Sequence, residues 1–193
     1  MVLTLRQEEE RDYEAVVNLI EEAFRNVEHS DGTEHLLVEK LRKCEEAFIP
    51  ELSIVAEEDD VIVGHILLTR ISIICDRGTS EGEEVEKEGA SVPSLCLAPL
   101  SVLPSHHKRG IGKKLMSKAH EVAKTQGHLS IIVLGHPAYY PKFGYKSLID
   151  IGTGLIRLPF DVPSEAAMGI ELVEGILSNI SGTVKYSQPF NDA

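Results

Sequence analysis

The amino-acid sequence predicts a mixed α/β domain. Two observations support this fold class: amphipathic helical patterns alternate with short apolar strands, and residues 94–135 follow the strand, helix, strand order that is typical of parallel βαβ units. A chain of 193 residues is long enough to bury a sizeable core. We therefore expect one domain over residues 1–193, with its core at about 3–160 and C-terminal strands over 161–193.

Two helices and two strands are predicted in the first half of the chain. Apolar residues recur at helical spacing over 12–25, and Thr33 is a suitable N-cap for a second helix. Residues 52–74 then predict two strands joined by a tight turn at Asp59–Asp60. Residues 76–90 are rich in Glu and Gly, which indicates a loop or a mobile hairpin tip.

The second half of the chain contains the predicted βαβ unit. Its first strand, at 94–103, is closed by Pro104, and a helix follows over about 110–125. The next strand, SIIVLG at 130–135, has the continuous apolar pattern of a buried strand. From Phe143 onward, short strands alternate with turns that contain Pro or Gly.

The composition argues against several classes of protein. No apolar run approaches the roughly 20 residues of a membrane helix, and the first residues lack the apolar core of a signal peptide. The cysteines, Cys44, Cys75 and Cys96, are scattered and odd in number, which argues against a disulfide framework or a zinc site. The histidines show no metal-ligand spacing. We expect a cytoplasmic protein that uses no metal and binds no membrane.

The charges are distributed unevenly along an acidic chain. Between Gly89 and Ile149 a single acid, Glu121, stands against eight basic residues: Lys108, Arg109, Lys113, Lys114, Lys118, Lys124, Lys142 and Lys146. This stretch carries +7, and subtracting it from the net charge of −12 leaves −19 for the remainder. A basic island in an acidic protein indicates a local anion site and argues against broad nucleic-acid binding. The alternative is a solvated lysine face on one helix.

The loop over residues 104–112 joins a strand to the N-terminus of a helix. The first helical turn leaves N–H groups unpaired and carries a partial positive charge. Gly110 and Gly112 let the backbone approach a phosphate closely, and Lys108, Arg109 and Lys113 add side-chain charge. These features suit a pyrophosphate. The loop matches neither the Walker nor the dinucleotide glycine pattern, so a tight turn with packing glycines stays open as the alternative.

Two sequence motifs resemble those of the GNAT N-acetyltransferase superfamily. The chain reads Leu100-Ser101-Val102-Leu103-Pro104 and then His107-Lys108-Arg109-Gly110-Ile111-Gly112, which is similar to L-x-V-x-P-x-x-(Q/R)-x-x-G-x-(G/A). The block VLGHPAYYPKFGY at 133–145 resembles the Y-x-x-x-G-(F/Y) ending of the same fold. Together with VGHILLTR, it is most similar to the YhbS-like branch of predicted acetyltransferases. The resemblance covers about residues 3–160.

This resemblance implies a fold and a co-substrate. The GNAT fold has a central twisted, mostly antiparallel sheet with one splayed pair of parallel strands, flanked by about four helices. The implied co-substrate is acetyl-CoA, and no metal is implied. The main chain of Leu100, Ser101 and Val102 should bind the pantetheine arm. The residues that should cradle the pyrophosphate are His107, Lys108, Arg109, Gly110, Ile111, Gly112 and Lys113.

The resemblance also suggests catalytic residues. Tyr140 matches the family tyrosine that contacts the cofactor and protonates the departing thiolate. If the turn that carries the two tyrosines is shifted by one residue, Tyr139 takes this role instead. The alternative role for either ring is aromatic packing. The backbone N–H of Val102 is expected to polarise the thioester carbonyl.

A general base is harder to place. Some relatives carry a glutamate where this chain has Cys96, and no acid occupies the strand. His65 and His136 are the candidates, and ordered water is the alternative. Cys96 is a candidate nucleophile, but a cysteine in an apolar strand usually packs as a small hydrophobic residue. Direct attack by the amine is therefore the favoured mechanism.

We therefore expect transfer of the acetyl group to the amine of a small molecule, by direct attack of that amine in a ternary complex. An acidic rim of Glu28, Asp31 and Glu34 favours a cationic acceptor. The alternatives are a protein or peptide N-acetyltransferase and a non-catalytic acyl-CoA-binding module. Many relatives are dimers, so a homodimer is the corresponding expectation.

Overall fold

A computed structural model of the chain describes residues 2–27, 30–76 and 90–191. Glu28 therefore lies outside the described residues, and so does the predicted loop at 76–90 except for its first and last residues. Within those ranges the fold is mixed α/β, as the sequence predicts. The helices are α1 (Tyr13–Phe24), α2 (Glu34–Arg42) and α3 (Ile111–Thr125). The strands are β1 (Leu3–Gln7), β2 (Ser53–Glu58), β3 (Val61–Cys75), β4 (Ser91–Val102), β5 (Ser130–Leu134), β6 (Lys146–Ser147), β7 (Leu155–Arg157), β8 (Ala167–Glu171) and β9 (Ser181–Lys185).

The described residues contain three α-helices where about four were expected. Between β5 and β6 the chain forms only a 3₁₀ turn, Tyr140–Phe143. Pro137 and Pro141 cannot donate a backbone hydrogen bond, and Gly144 ends the turn in the left-handed region with φ 93°. These residues prevent the turn from extending into an α-helix.

The chain divides into two compact units, and it passes from one to the other within β3 and within β4. The first unit comprises residues 1–70, 96–128 and 187–193, and the second comprises residues 71–95 and 129–186.

The first unit is built on antiparallel strands. β1 pairs with β2, and β2 pairs with β3 through the predicted tight turn, in which Asp59 and Asp60 have φ of 49° and 64°. Positive φ at both residues is the backbone geometry of a two-residue hairpin turn. The end of β4 continues this arrangement, since the Leu103 N–H donates to the Val63 carbonyl at 3.0 Å.

Helices cover both faces of this sheet. On one face, α1 and α2 bury an apolar cluster against β2 and β3; its members are Val16, Leu19, Ile20, Val38, Leu41, Ala47, Val55 and Leu67. On the other face, α3 lies very close to β3. A β-carbon at Gly64 would be 2.9 Å from Leu115 Cδ1 and 3.0 Å from Ile111 Cγ2. The missing β-carbon at position 64 leaves room for these two side chains.

The second unit contains the parallel strand pair. β5 runs parallel to β4, as the βαβ pattern predicts, while β8 is antiparallel to both β5 and β6. Ser94 of β4 and Ser130 of β5 share a buried hydrogen bond of 2.8 Å between their hydroxyl groups. β7 pairs parallel with β9, and β9 pairs antiparallel with the end of β3.

Candidate functional site

The predicted anion-binding loop lies in the first unit, between the end of β4 and the start of α3. A short 3₁₀ turn, Pro104–His106, follows the strand, and α3 begins at Ile111. Lys108 and Gly110 both have left-handed backbone, with φ of 62° and 78°. Alternation of left-handed and right-handed residues turns successive N–H groups to one side and forms a concave anion nest.

The geometry of this loop explains one of its glycines. A β-carbon at Gly110 would meet nothing within 4 Å, so the glycine serves the left-handed conformation rather than close packing. As the N-cap of α3, Gly110 also provides no side-chain hydrogen bond to the first turn. The first N–H groups of α3 are thereby left available to a bound anion.

His107 is tied to the strand that precedes the loop. Its Nε2 lies 3.0 Å from the Val102 carbonyl oxygen. Because a carbonyl only accepts, this contact requires the proton on Nε2. A hydrogen bond from His107 to a phosphate would therefore need Nδ1, while the backbone of the loop is unaffected.

Arg109 is held by a carboxylate that the sequence did not single out. Its guanidinium donates to both oxygens of Glu58, at 2.7 and 2.9 Å, and Nε2 of His106 lies 3.5 Å from the same carboxylate. The hydrogen bonds from Arg109 lower the pKa of Glu58, and the charge of Arg109 and the nearby His106 act in the same direction. The loop is thus fastened to the end of β2.

The predicted pantetheine-binding residues occupy the end of β4. Leu100 and Val102 are partly exposed, whereas Ser101 is 2% exposed. The buried Ser101 hydroxyl has no hydrogen-bond partner among the described residues. Lys113, Gly112 and Ile111 continue the loop into the first turn of α3, so the first unit brings these predicted residues together.

The other predicted site residues, His136 and Tyr140, lie in the second unit after β5. A β-carbon at Gly135 would be 2.2 Å from Tyr140 Cε2, so the ring of Tyr140 covers the backbone at this position. Tyr139 and Tyr145 contact the same ring edge-on, at centroid distances of 5.3 and 5.5 Å. Tyr145 is 2% exposed and anchors the group in the core.

His136 holds the turn that carries the tyrosines. Its Nδ1 accepts the N–H of Ala138 at 3.1 Å, and its carbonyl accepts the N–H of Tyr139 at 3.0 Å. Tyr139 is half-buried, and this burial raises its pKa. A local structural role for His136 is therefore visible, and its role as a base stays a prediction.

The other two candidates for chemistry on the strands are buried. His65 is completely buried in the first unit, and desolvation lowers its pKa to about 3. Cys96 is 4% exposed, and burial raises the pKa of its thiol to about 12. A thiol with that pKa is protonated at neutral pH, which favours the packing role of Cys96 over a nucleophilic one.

No cluster of metal-ligating side chains occurs in the described ranges. Within those ranges, no helix combines the length and the apolar character needed to cross a membrane.

Comparison with known families identifies the class of protein. Residues 50–147, just over half of the chain, match the family described as Acetyltransferase (GNAT) domain. The chain therefore belongs to the GNAT acetyltransferase family. Enzymes of this family use acetyl-CoA as their co-substrate.

Two curated relatives come from Escherichia coli K12. The uncharacterized N-acetyltransferase YjhQ is 32% identical over 122 residues, which are 63% of this chain and 59% of YjhQ. The match thus spans less than two thirds of that relative. The uncharacterized N-acetyltransferase YhbS is 24% identical over 173 residues, covering 89% of this chain and 91% of YhbS.

Two solved structures are similar over nearly the whole chain. A GNAT family acetyltransferase from Brucella melitensis, in complex with acetyl-CoA, has a TM-score of 0.74, 26% identity and 98% coverage of both chains. YhbS from E. coli, in complex with CoA, has a TM-score of 0.77 and 22% identity, with 98% of this chain and 92% of that chain covered. The fold class predicted from the sequence is confirmed.

Proposed function

We propose that this chain binds acetyl-CoA and transfers the acetyl group to the amine of a small molecule, by direct attack in a ternary complex. The observation that carries the proposal is the loop between β4 and α3, where left-handed Lys108 and Gly110 precede an uncapped helix N-terminus. Family membership and the acetyl-CoA and CoA complexes of the two similar structures support the same co-substrate.

In this proposal the end of β4 orients the thioester. The main chain of Leu100, Ser101 and Val102 binds the pantetheine arm, and the Val102 N–H polarises the thioester carbonyl. Holding amine and thioester together supplies much of the rate, and a hydrogen bond to the developing oxyanion supplies more.

Tyr140 acts in this proposal as the acid that protonates the CoA thiolate. Close packing against Gly135 and Tyr145 limits the rotation of its ring, which favours one fixed position of the hydroxyl. Replacing Tyr140 by Phe removes only that hydroxyl. We expect kcat to fall about 10²-fold with an unchanged dissociation constant for acetyl-CoA. Tyr139→Phe is the matched control, and a larger loss there would reassign the acid.

Calorimetric titration with acetyl-CoA tests the binding site. Gly110→Glu should weaken binding, because a side chain and a negative charge enter the anion nest. Gly127→Glu is a matched control, since Gly127 lies past the other end of α3 with φ of 81° and nothing within 4 Å of its β-carbon. Equal loss in both variants would indicate strain instead of a lost cofactor site. Absence of binding by the wild-type protein would overturn the proposal.

The acceptor class is argued from the residues around α2. Glu34 accepts a hydrogen bond from Ser30 on Oε1, while its buried Oε2 has no partner among the described residues. Asp31 is instead engaged by Thr33, whose hydroxyl and N–H lower its pKa. Glu34 thus keeps one carboxylate oxygen that no described residue satisfies, and a cationic amine is the kind of ligand that would pair with it.

A further inference from the structure

The first unit contains a buried chain of polar groups that the sequence did not predict as a set. Ser53 and His65 are completely buried, and Glu8 is 6% exposed. The Ser53 hydroxyl lies 2.6 Å from Glu8 Oε2 and 3.0 Å from His65 Nε2. Arg42 pairs with both oxygens of Glu8, and its guanidinium lies 4.0 Å from the ring centroid of Tyr13.

The hydrogen bonds define the proton positions in this chain. An ionised carboxylate only accepts, so the single hydroxyl proton of Ser53 is donated to Glu8. The Ser53 oxygen must then accept from His65, which places a proton on Nε2. Burial and the nearby charge of Arg42 lower the pKa of His65 to about 3, so the ring is neutral and Nδ1 is an unprotonated acceptor. No donor to Nδ1 occurs among the described residues.

A second orphaned group lies on the adjacent strand. The bond from Leu103 N–H to the Val63 carbonyl sets the antiparallel register of β3 and β4. Two residues after Val63 in β3 and two residues before Leu103 in β4, His65 stands opposite Ser101, and opposite residues share a face. Their β-carbons are then about 4.5–5.5 Å apart, a span that one water molecule bridges. Buried polar atoms are normally hydrogen-bonded, so both side chains favour a shared polar ligand.

We propose that Glu8, Ser53 and His65 form a proton relay that takes the proton from the acceptor amine through a water molecule bound between His65 and Ser101. The proposal rests on the proposed function, in which the main chain at the end of β4 binds the pantetheine arm and brings the reacting amine beside this strand. All four side chains are positioning residues, because they act through that water.

The transfer balances without a charged imidazole. The amine N–H bond breaks as its proton passes to the water, and a water proton passes to His65 Nδ1. The Nε2 proton moves to the Ser53 oxygen, and the Ser53 proton moves to Glu8. Glu8 ends as a carboxylic acid, Ser53 as a hydroxyl and His65 as the other neutral tautomer. The reverse path resets the chain after product release.

This relay provides the base that β4 lacks. Cys96 stands where some relatives carry glutamate, and its buried thiol is protonated at neutral pH. The low proton affinity of His65 disfavours its action as a simple base at that pH, whereas a concerted relay never needs the imidazolium. The charged and titratable groups around the relay are Glu8, Arg42 and Tyr13, contributed by the segment after β1, by α2 and by α1.

The first test is independent of activity. Nitrogen NMR of histidine-labelled protein should find His65 neutral across pH 5–8, with a pyrrole-like Nε2 and a pyridine-like Nδ1. The opposite tautomer, or a charged ring, would overturn the relay. This result stands whether or not the protein transfers an acetyl group, so it separates failure of the relay from failure of the proposed function.

The second test compares Ser53→Ala with Ser130→Ala. Both remove a buried strand hydroxyl, but Ser130 bonds Ser94 and lies outside the relay. We expect kcat of Ser53→Ala to fall about 10²-fold. Its remaining activity should rise with pH, because only neutral amine reacts, and acetyl-CoA should bind as in the wild type.

Ser53→Thr restores the hydroxyl and should recover most of the wild-type rate and pH profile. A loss in Ser53→Ala no greater than that in Ser130→Ala, with an unchanged pH profile, would overturn the relay. A wild-type protein that binds acetyl-CoA but acetylates no amine would overturn the proposed function instead.

Discussion

The ring of Tyr140 lies over Gly135 so closely that a β-carbon at position 135 would overlap it, at 2.2 Å from Cε2 and 2.8 Å from Cδ2. These distances are shorter than any real contact of a β-carbon, so a side chain at 135 and the present position of the ring are incompatible. The glycine that follows β5 therefore allows the tyrosine ring to lie where it does.

Gly135→Ala should displace Tyr140 and lower kcat about as much as Tyr140→Phe does, with little change in acetyl-CoA affinity. Steady-state kinetics and calorimetry measure the two effects. In the Tyr140→Phe background the alanine should cost almost nothing further, because the hydroxyl it displaces is already gone. Additive losses in the double variant would mean that Gly135 acts on the reaction independently of Tyr140.

Glu58→Gln should release Arg109 from its bidentate ion pair. If Arg109 then turns to the bound pyrophosphate, acetyl-CoA should bind about twofold to fivefold more tightly at low salt. The difference should shrink as salt screens the charge. Glu57→Gln makes the same charge change on the neighbouring residue, which pairs with Arg6. Equal tightening in the control would indicate a general charge effect and not release of Arg109.

Burial of His65 should make the stability of the fold depend on pH. The pKa of His65 falls from 6.5 in the unfolded chain to about 3 in the folded protein. Below pH 6.5 the unfolded state therefore binds one proton more than the folded state. The free energy of unfolding decreases as the pH falls from 6.5 towards 3. One such group contributes a slope of about 1.4 kcal/mol per pH unit.

Urea denaturation between pH 4 and 8 measures that slope. His65→Gln keeps a donor towards Ser53 but has no titrating ring, so this part of the pH dependence should disappear. A variant with the wild-type slope would show that other groups control stability in this range. At lower pH the carboxyl groups of Asp12 and Glu58, whose pKa values are lowered by Arg6 and Arg109, should add a further loss.

Glu34→Gln should raise the KM for a cationic acceptor several-fold and leave that for a neutral acceptor unchanged, because only the charged amine gains from the carboxylate. Glu39→Gln, an exposed position on the same helix, is the control for net charge. The steering hypothesis fails if added salt leaves the wild-type KM for the cationic acceptor unchanged.

Local sequence patterns predicted the elements well. The apolar spacing of α1 and α3, the Asp59–Asp60 turn and the parallel order of β4 and β5 are all found in the structure. Each depends on neighbours within a few residues, and such short-range information is written in periodicity and turn chemistry. The packing role of Cys96 follows from its apolar strand in the same way.

Polar partners from distant segments could not be predicted in this way. Arg109 and Glu58 are 51 residues apart, and Ser53 and Glu8 are 45 apart. Periodicity tells which face of a strand is buried, but not which donor and acceptor will meet there. The sequence therefore indicated His65 as a candidate base but gave no sign of its partners, which three other elements supply.

Gly64 influences how closely α3 packs against β3. The start of the helix packs directly against β3 at a position that has no side chain, and Ile111 and Leu115 fill the space that a side chain would occupy. A larger residue at position 64 would press on the ends of these two side chains and on the Ser101 carbonyl, close to where the loop of Lys108 and Gly110 enters the helix. We therefore expect a substitution in the middle of this neighbouring strand to change the affinity of the loop for a phosphate group.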